Sequence, residues 1–428
     1  MKYRAEVFRY VGLDVTSDTL TGNYELDGRP FQETVTFEGI GPLTTPAVRA
    51  VAQLWYLIAG LSYYKAGAAK HVDLGTTPVG VKGRKLFDAA LRDGLGEFSY
   101  RNELYLDDVV IEGGFEVEHY APLVEPSHVL TPFGGGIDSV VTVSQLSGVV
   151  LQSLFIVSPA SGVFEPLERT AAITGLPIVR ARRSLDPQIL SGDETFFNGH
   201  VPVTTMVTLL AVVAAIAAGR GAVAMSNEHS ASAPNLVWNE REINHQWSKS
   251  WVAEELIADA VRERVGNEFV VASYLRNRSE LWVAKLFAGL PQYHHVFRSC
   301  NRAFAQASDQ RAANWCGQCD KCLFINLILA PFLSRSTLRD IFASEPLTNP
   351  ELAESLRTLV GIGVDHKPFE CVGDPDESAL ALRRIATLDE WADEKSIADL
   401  ALLVSPDRDF DELLLPEGPS HVPPHWLR

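Results

Sequence analysis

A chain of 428 residues with a formal net charge of −17, 46% hydrophobic and 21% charged, is too long for one ordinary core and too apolar for wholesale disorder. Two or three packed domains are expected. Its acidity, with a pI near 5.1, argues against a nucleic-acid partner, because a polyanion is repelled unless Lys and Arg gather on one face. A small anionic substrate stays open, since it needs only a local positive pocket. The opening residues lead into an alternating segment without an apolar signal-like run, so a cytoplasmic protein is expected.

Residues 7–15 and 22–37 alternate apolar and polar side chains, and Asp27-Gly28 inside the second run signals a hairpin turn. Pro46 opens an apolar helix towards Gly60, with Trp55, Leu57 and Ile58 for its buried face. Pro122 and Pro126 bracket a linker, which closes an N-terminal α+β domain over residues 1–125. The rhythm then changes. Residues 129–133 form a short apolar strand that enters a triple glycine, and residues 138–146 read as a helix. A strand follows at 149–157, a helix at 165–174, a strand at 176–179 and another at 222–226. Between the last two lies an alanine-rich stretch, 201–218, interrupted by Pro202, Thr204, Thr205 and Thr208. It suits a helix buried against a sheet better than a membrane span, which needs about 20 apolar residues, so no membrane partner is expected. Alternating strands and helices with short connections predict a doubly wound parallel α/β sheet over residues 126–335. Residues 336–428 read as helical and acidic, ending in a tail with Pro416, Pro419, Pro423 and Pro424 that is loose or draped over the surface.

The chemistry begins at Gly134-Gly135-Gly136-Ile137-Asp138-Ser139. A strand that ends in glycines and turns into a helix leaves backbone N–H groups at a positive helix end, which suits a phosphate chain. Asp138 is placed to hold Mg²⁺ and Ser139 to hydrogen-bond a phosphate oxygen. No Lys precedes Ser139, so the loop is not of the Walker type, and its glycine spacing does not fit the dinucleotide fingerprint. It resembles the loop of the PP-loop ATP pyrophosphatases, with Gly134 in place of the first serine. That resemblance implies ATP cleaved to AMP and pyrophosphate. Cys316, Cys319 and Cys322 follow a Cys-x-x-Cys-x-x-Cys pattern, Gly317 suits the tight knuckle, and Cys300 supplies a fourth sulfur. Four thiolates match a structural zinc site in a reducing compartment, with an iron–sulfur cluster as the competing reading. Similar clusters follow the PP-loop domain of 7-cyano-7-deazaguanine synthase. Cys371 stands apart, as a packed thiol or part of a site wall. Three polar clusters complete the inventory: 198–204 with His200, 226–230 with Glu228 and His229 after a strand, and 244–249 with His245 and Lys249 within about a helical turn and a half.

These clusters, together with Leu61-Ser62-Tyr63-Tyr64-Lys65, Gly94-Leu95-Gly96-Glu97-Phe98, Ser299-Cys300-Asn301-Arg302, Trp315-Cys316-Gly317 and the stretch from Asp365-His366-Lys367 to Cys371-Val372-Gly373, carry a family resemblance. The chain resembles the MurL family of bacterial wall synthesis, the UDP-MurNAc-L-alanyl-L-glutamate epimerases. The resemblance implies that ATP and Mg²⁺ serve to convert the terminal L-Glu of UDP-MurNAc-L-Ala-L-Glu to D-Glu in peptidoglycan precursor synthesis, releasing AMP and pyrophosphate. It implies a PP-loop-like catalytic domain with Gly134, Gly135, Gly136, Asp138 and Ser139 on the nucleotide. It also implies zinc on Cys300, Cys316, Cys319 and Cys322, and His200, His245, Lys249 and Glu228 for acid/base work. Two other readings stay open: a PP-loop ligase or amidotransferase that passes an adenylated carboxylate to an amine, and a nucleotide-binding zinc module without catalysis.

Overall fold

The computed structural model describes residues 2–160, 162–300, 302, 314–363 and 367–427. Strands β1 (Val7–Val15), β2 (Thr19–Leu26) and β3 (Arg29–Glu38) form an antiparallel meander. Along β2 every second residue is buried, which places Leu20, Tyr24 and Leu26 on the core face. The β2–β3 turn sits at Asp27-Gly28 with φ of 45° and 82°, the left-handed pair that a two-residue hairpin requires. Short strands β4 (His71–Asp73) and β5 (Val110–Glu112) add in parallel beyond β1.

The second half is parallel: β6 (Glu125–Pro132), β7 (Leu151–Pro159), β8 (Ile178–Ser184) and β9 (Arg220–Met225). A separate hairpin of β10 (Leu236–Trp238) and β11 (Arg241–Ile243) follows, and β12 (Val270–Ser273) then pairs in parallel with β9. The strand order is β12-β9-β6-β7-β8-β3-β2-β1-β4-β5. The sheet is therefore mixed, and the N-terminal strands extend the parallel sheet where the sequence predicted a purely parallel one. The cause lies at the β3–β8 seam. There β3 runs antiparallel to β8, with Val35 opposite Arg183, and so covers an edge that would otherwise expose unpaired backbone. Arg183 Nε donates across the seam to Glu33 Oε1 at 2.6 Å, and Glu33 is wholly buried.

Helices cover both faces. Leu130, Phe155, Val223 and Val271 point into one core with helices Pro46–Ala59, Val203–Ala217 and Trp251–Val265. Their strand neighbours Val129, Leu154, Ala222 and Ala272 point into the other, with helices Ile137–Leu146, Glu280–Ala288 and Asp320–Leu329. This period-two alternation is the doubly wound arrangement. Among the described residues no helix is long and apolar enough to cross a membrane; the alanine-rich Val203–Ala217 is buried along most of its length. The C-terminal part adds helices Arg335–Phe342, Ala353–Leu359, Pro375–Ile385 and Lys395–Ala401. Its tail is draped and anchored: His421 stacks on Trp251 at 4.5 Å and Trp426 is 1% exposed.

Candidate active site

The chain leaves β6 in one direction, towards β7 and β8, and returns to add β9 and β12 on the other side. The crevice between the carboxyl ends of β6 and β9 is thus a topological switch point, the place where open α/β sheets bind ligands. Both of the loops that open there were singled out in the sequence. After β6, Gly135 has φ +73°, and a Cβ on Gly136 would come within 2.7 Å of Ser299 Oγ. Larger residues would close the loop. Among the described residues the N–H groups of Gly134, Gly135 and Gly136 have no protein acceptor. Ile137 turns into the core at 1% exposure, while Asp138 lies in the first helical turn. Ser139 Oγ donates to Gly136 O at 3.1 Å and tightens the turn.

Asp138 is pushed up to about 7, first by burial and then by the negative charge of Glu228; Lys321 and Lys249 pull the other way. Glu228 follows β9 at 2% exposure, and Glu280, equally buried, is held well above the carboxylate range by burial, Glu228 and Asp138. Oxygens Oδ1 of Asp138, Oε2 of Glu228 and Oε2 of Glu280 are buried without a hydrogen-bond partner among the described residues. Buried unpaired oxygens of this kind are costly, and a cation relieves them.

His200 and His245 lie with ring centroids 4.4 Å apart, yet their protonation is opposite. His200 is driven down to about 4 by burial and by the charge of His245. Burial also opposes charge on His245, but hydrogen bonds to Cys371 and Glu97 overcome it and raise the ring to about 9. Nδ1 of His245 donates to Glu97 Oε2 at 2.5 Å. Although Glu97, His200 and His245 cluster closely enough to suggest a metal, that direct contact leaves no room for an ion between nitrogen and oxygen. Lys249 is also kept charged: burial lowers it, but Cys371, Glu228 and Asp138 together raise it above the ordinary lysine range.

The segment 244–249 is a loop ending in the 3₁₀ turn Trp247–Lys249. Asn244 Oδ1 accepts from Gln246 N at 2.8 Å, a local side-chain bond that competes with helix formation. Arg276 clamps this loop to the one after β9. It pairs with buried Glu254 at 2.9 Å and donates to Glu228 O at 3.0 Å and Lys249 O at 2.6 Å. From the N-terminal side, Lys65 Nζ donates to Asn198 Oδ1 at 3.1 Å and Gly199 O at 3.0 Å, beside His200. A cavity of about 640 Å³ opens at this point, lined among others by Ser62, Lys65, Arg183, Phe196 and Asn198.

The structure thus brings Asp138, His200, Glu228, His245 and Lys249 to one centre. Sequence reasoning missed the supporting roles of Glu97, Arg276, Glu280 and Lys321, since charged residues scattered along a chain carry no local sign of convergence. Glu97 did lie inside a segment of the family resemblance. Cys371, read as a packed thiol or site wall, stands on the wall beside His245. Asn301, Asp365 and His366 lie outside the described residues.

The four-sulfur group sits at the start of helix Asp320–Leu329. Sγ atoms of Cys300, Cys316, Cys319 and Cys322 all lie within 4.8 Å of one another, with Cys316–Cys322 at 3.6 Å and Cys319–Cys322 at 3.4 Å. A tetrahedral shell with Zn–S near 2.3 Å has an S–S edge of about 3.8 Å, so the set fits a metal. Gly317 in the knuckle has φ +66°, and a Cβ there would meet Ser344 Oγ at 2.5 Å.

Fold and site define a class, an α/β protein with a polar ligand site at the switch point of its parallel strands. The comparisons are more specific. The MurL N-terminal domain model matches residues 1–274 and the MurL C-terminal domain model residues 296–411. A UDP-N-acetyl-alpha-D-muramoyl-L-alanyl-L-glutamate epimerase from a Micromonospora species is 35% identical, covering 99% of this chain and 97% of its own. Proteins of the same name from Xanthomonas oryzae pv. oryzae and Salinispora tropica are each 34% identical. They cover 100% and 99% of this chain, and 97% and 94% of their own. No solved structure matches. The chain belongs to the MurL family.

Proposed function

We propose that this protein is an ATP-dependent epimerase of the terminal glutamyl residue of UDP-MurNAc-L-Ala-L-Glu. The observation that carries the reading is the junction of a glycine loop suited to phosphates with a pocket of opposed charges at one switch point, in a chain of this family. The relatives' names supply the substrate, and the cavity lined by Lys65, Arg183 and Asn198 offers room for its sugar-nucleotide end.

The chemistry has a physical logic. An α-proton beside a carboxylate is very weakly acidic, because its removal would set a second negative charge beside the first. Transfer of AMP from ATP to that carboxylate removes its charge and makes the carbonyl an electron sink. The free N–H groups of Gly134 to Gly136 and the Ser139 hydroxyl would hold phosphate oxygens. Asp138 and Glu228, with their unpaired oxygens, would hold Mg²⁺, in part through water; the ion when bound screens the phosphate charge. Among the acid/base candidates, His200 is the one held uncharged, so it accepts a proton from the α-carbon or from the water that cleaves the adenylate. His245 and Lys249, held as cations, donate protons or stabilise the enolate. Zinc on the four cysteines would hold together the region from Cys300 to helix Asp320–Leu329 and take no part in the reaction.

The test is incubation with ATP, Mg²⁺ and UDP-MurNAc-L-Ala-L-Glu in D₂O, followed by nucleotide chromatography and chiral analysis of glutamate. AMP, pyrophosphate and D-glutamate carrying α-deuterium are expected. ADP as the main product excludes adenylation. Pyrophosphate without α-deuterium or inversion replaces the epimerase with a ligase that needs an amine acceptor.

A further inference from the structure

Cys371 is the described cysteine outside the four-sulfur group, and its placement is built. Gln246 Nε2 donates to Val372 O at 3.0 Å, and Asn235 Nδ2 donates to Pro368 O at 2.7 Å. Asn235 Oδ1 also accepts from His245 N at 2.8 Å. The His245 loop and the Cys371 segment are therefore held in register by shared partners. Phe369 adds a clasp, stacked on Tyr100 at 5.6 Å with the Arg101 guanidinium 4.9 Å from its ring.

At the centre, His245 gives Nδ1 to buried Glu97 at 2.5 Å, and the same imidazole is the neighbour that, with Lys249, most favours the charged form of Cys371. Thiol, imidazole and buried carboxylate in series form the arrangement that activates a sulfur for chemistry. The Lys249 and Lys321 ammonium groups face the same sulfur, and the carboxylates of Asp138 and Glu228 also act on Lys249. Burial alone would raise the thiol. Lys249, His245 and Lys321 overcome it and hold Cys371 down to about 6. The residue is partly exposed. Asp138 Oδ1, buried without a hydrogen-bond partner among the described residues, belongs to a carboxylate that feels the charge of the same sulfur.

We propose that Cys371, packed beside the His245–Glu97 pair, is a proton-transfer residue of the glutamyl epimerisation and acts on one face of the α-carbon. This rests on the epimerase reading above. The Cα–H bond breaks, its proton passes to Sγ, and its electron pair moves into the adjoining activated carbonyl as an enolate. The Lys249 ammonium then delivers a proton to the opposite face and forms the new Cα–H bond. Sulfur returns its proton to water and the lysine regains one, so nothing is oxidised or reduced. His200 is left for the water that cleaves the adenylate.

The test uses Cys371→Ser, which keeps a hydrogen-bonding group beside His245 but cannot ionise near neutral pH. L- and D-glutamyl substrates are incubated separately with ATP and Mg²⁺ in D₂O. Deuterium uptake from one epimer is expected to fall about 100-fold or more, the scale of a lost general base, while uptake from the other and pyrophosphate release persist. Uptake unchanged from both epimers overturns the proposal. So does loss from both together with pyrophosphate release, which marks a structural role. Wild-type protein that takes up no deuterium from either epimer overturns the epimerase reading first, and this proposal with it. Independently of any variant's folding, iodoacetamide at pH 6.5 should modify Cys371 of the wild-type protein ahead of the four clustered cysteines, as read by peptide mass. His245→Gln should slow that reaction. A thiol that is inert at pH 6.5 and becomes reactive only towards pH 9 overturns the assignment.

Discussion

The protein holds its sulfur in two regions that differ in everything but the atom. In the cluster of Cys300, Cys316, Cys319 and Cys322, four thiols face one another. Without a cation Cys319 and Cys322 resist ionisation: Cys319 is raised to about 12 and Cys322 further, in both first by the hydrogen bond with Cys300 and then by burial among others. At Cys371 a single thiol faces two ammonium groups and an imidazolium, and is lowered to about 6. Burial opposes the thiolate in both places. The neighbours decide, and in the first region a metal ion would supply the positive charge that the second takes from Lys249, Lys321 and His245. A cysteine's role is therefore read from the sign of the charge around it.

The largest effect that sharpens this contrast is expected from Cys319→Ser. Metal binding in closed sites of this type is coupled to folding, so loss of one ligand should lower the melting temperature by on the order of 10 °C and reduce solubility before it touches the chemistry. The wild-type protein should carry about one zinc, the stoichiometry of a four-cysteine site. Elemental analysis and thermal melts check both. A metal-free protein with the same melting curve breaks the comparison, and a visible absorption band from iron and sulfide replaces zinc with a cluster.

Next in size is Glu97→Gln. The carboxylate is buried and bonded to both His245 and Arg101, at 2.5 Å and 2.6 Å. Its own proton affinity is lowered in spite of burial, chiefly by His245. Removing its charge while keeping its shape should cost only about 1–3 kcal/mol of stability, the range for a broken buried hydrogen bond. The imidazolium loses the partner that holds it, and turnover should drop by about 100-fold or more, as when the orienting carboxylate of a triad is neutralised. A Glu97→Gln enzyme with wild-type turnover would show that the two sulfur regions differ in charge but not in use.

How much of this was legible depends on range. The helix Glu165–Thr174 announced itself locally through Pro166 and through Gly175, whose φ of +66° ends it. The Asp27-Gly28 hairpin was equally plain. The seam between β3 and β8 was not, because strand periodicity tells which face is buried and never which strand lies alongside. Strand β12, four residues long, offers too few positions for a pattern to emerge. The site divides in the same way. The glycine loop and the polar segments around His200, Glu228 and His245 stood out because their residue types are unusual beside apolar runs. The bond from Gln246 to Val372, which brings Cys371 to His245, spans 126 positions, and nothing local in either segment points to the other.

The smallest effect is a matter of pH and tests whether the charge on His245 is real. Its folded pKa, about 9, lies above the unfolded value of about 6.5. The folded state therefore binds the proton more tightly than the unfolded chain does. Below about pH 6.5 both states carry it and the stabilisation is fully present; as pH rises through 9 the folded state gives it up and the stabilisation is lost. His200 titrates on the other side. Its folded value of about 4 lies below the unfolded one, so its contribution is present above about pH 6.5 and disappears as pH falls towards 4. The alkaline limb thus belongs to His245, with Glu97, Cys371 and the neighbouring His200 ring facing it, and the acid limb to His200. Comparing wild-type protein with His245→Gln by thermal melts should give a gap of a few degrees at pH 7, roughly what 1–2 kcal/mol produces in a chain of this size. That gap should narrow steadily between pH 7 and pH 9.5. A gap that stays constant over this interval would mean that His245 is neutral in the folded protein, and the thiolate at Cys371 would then rest on the two lysines alone.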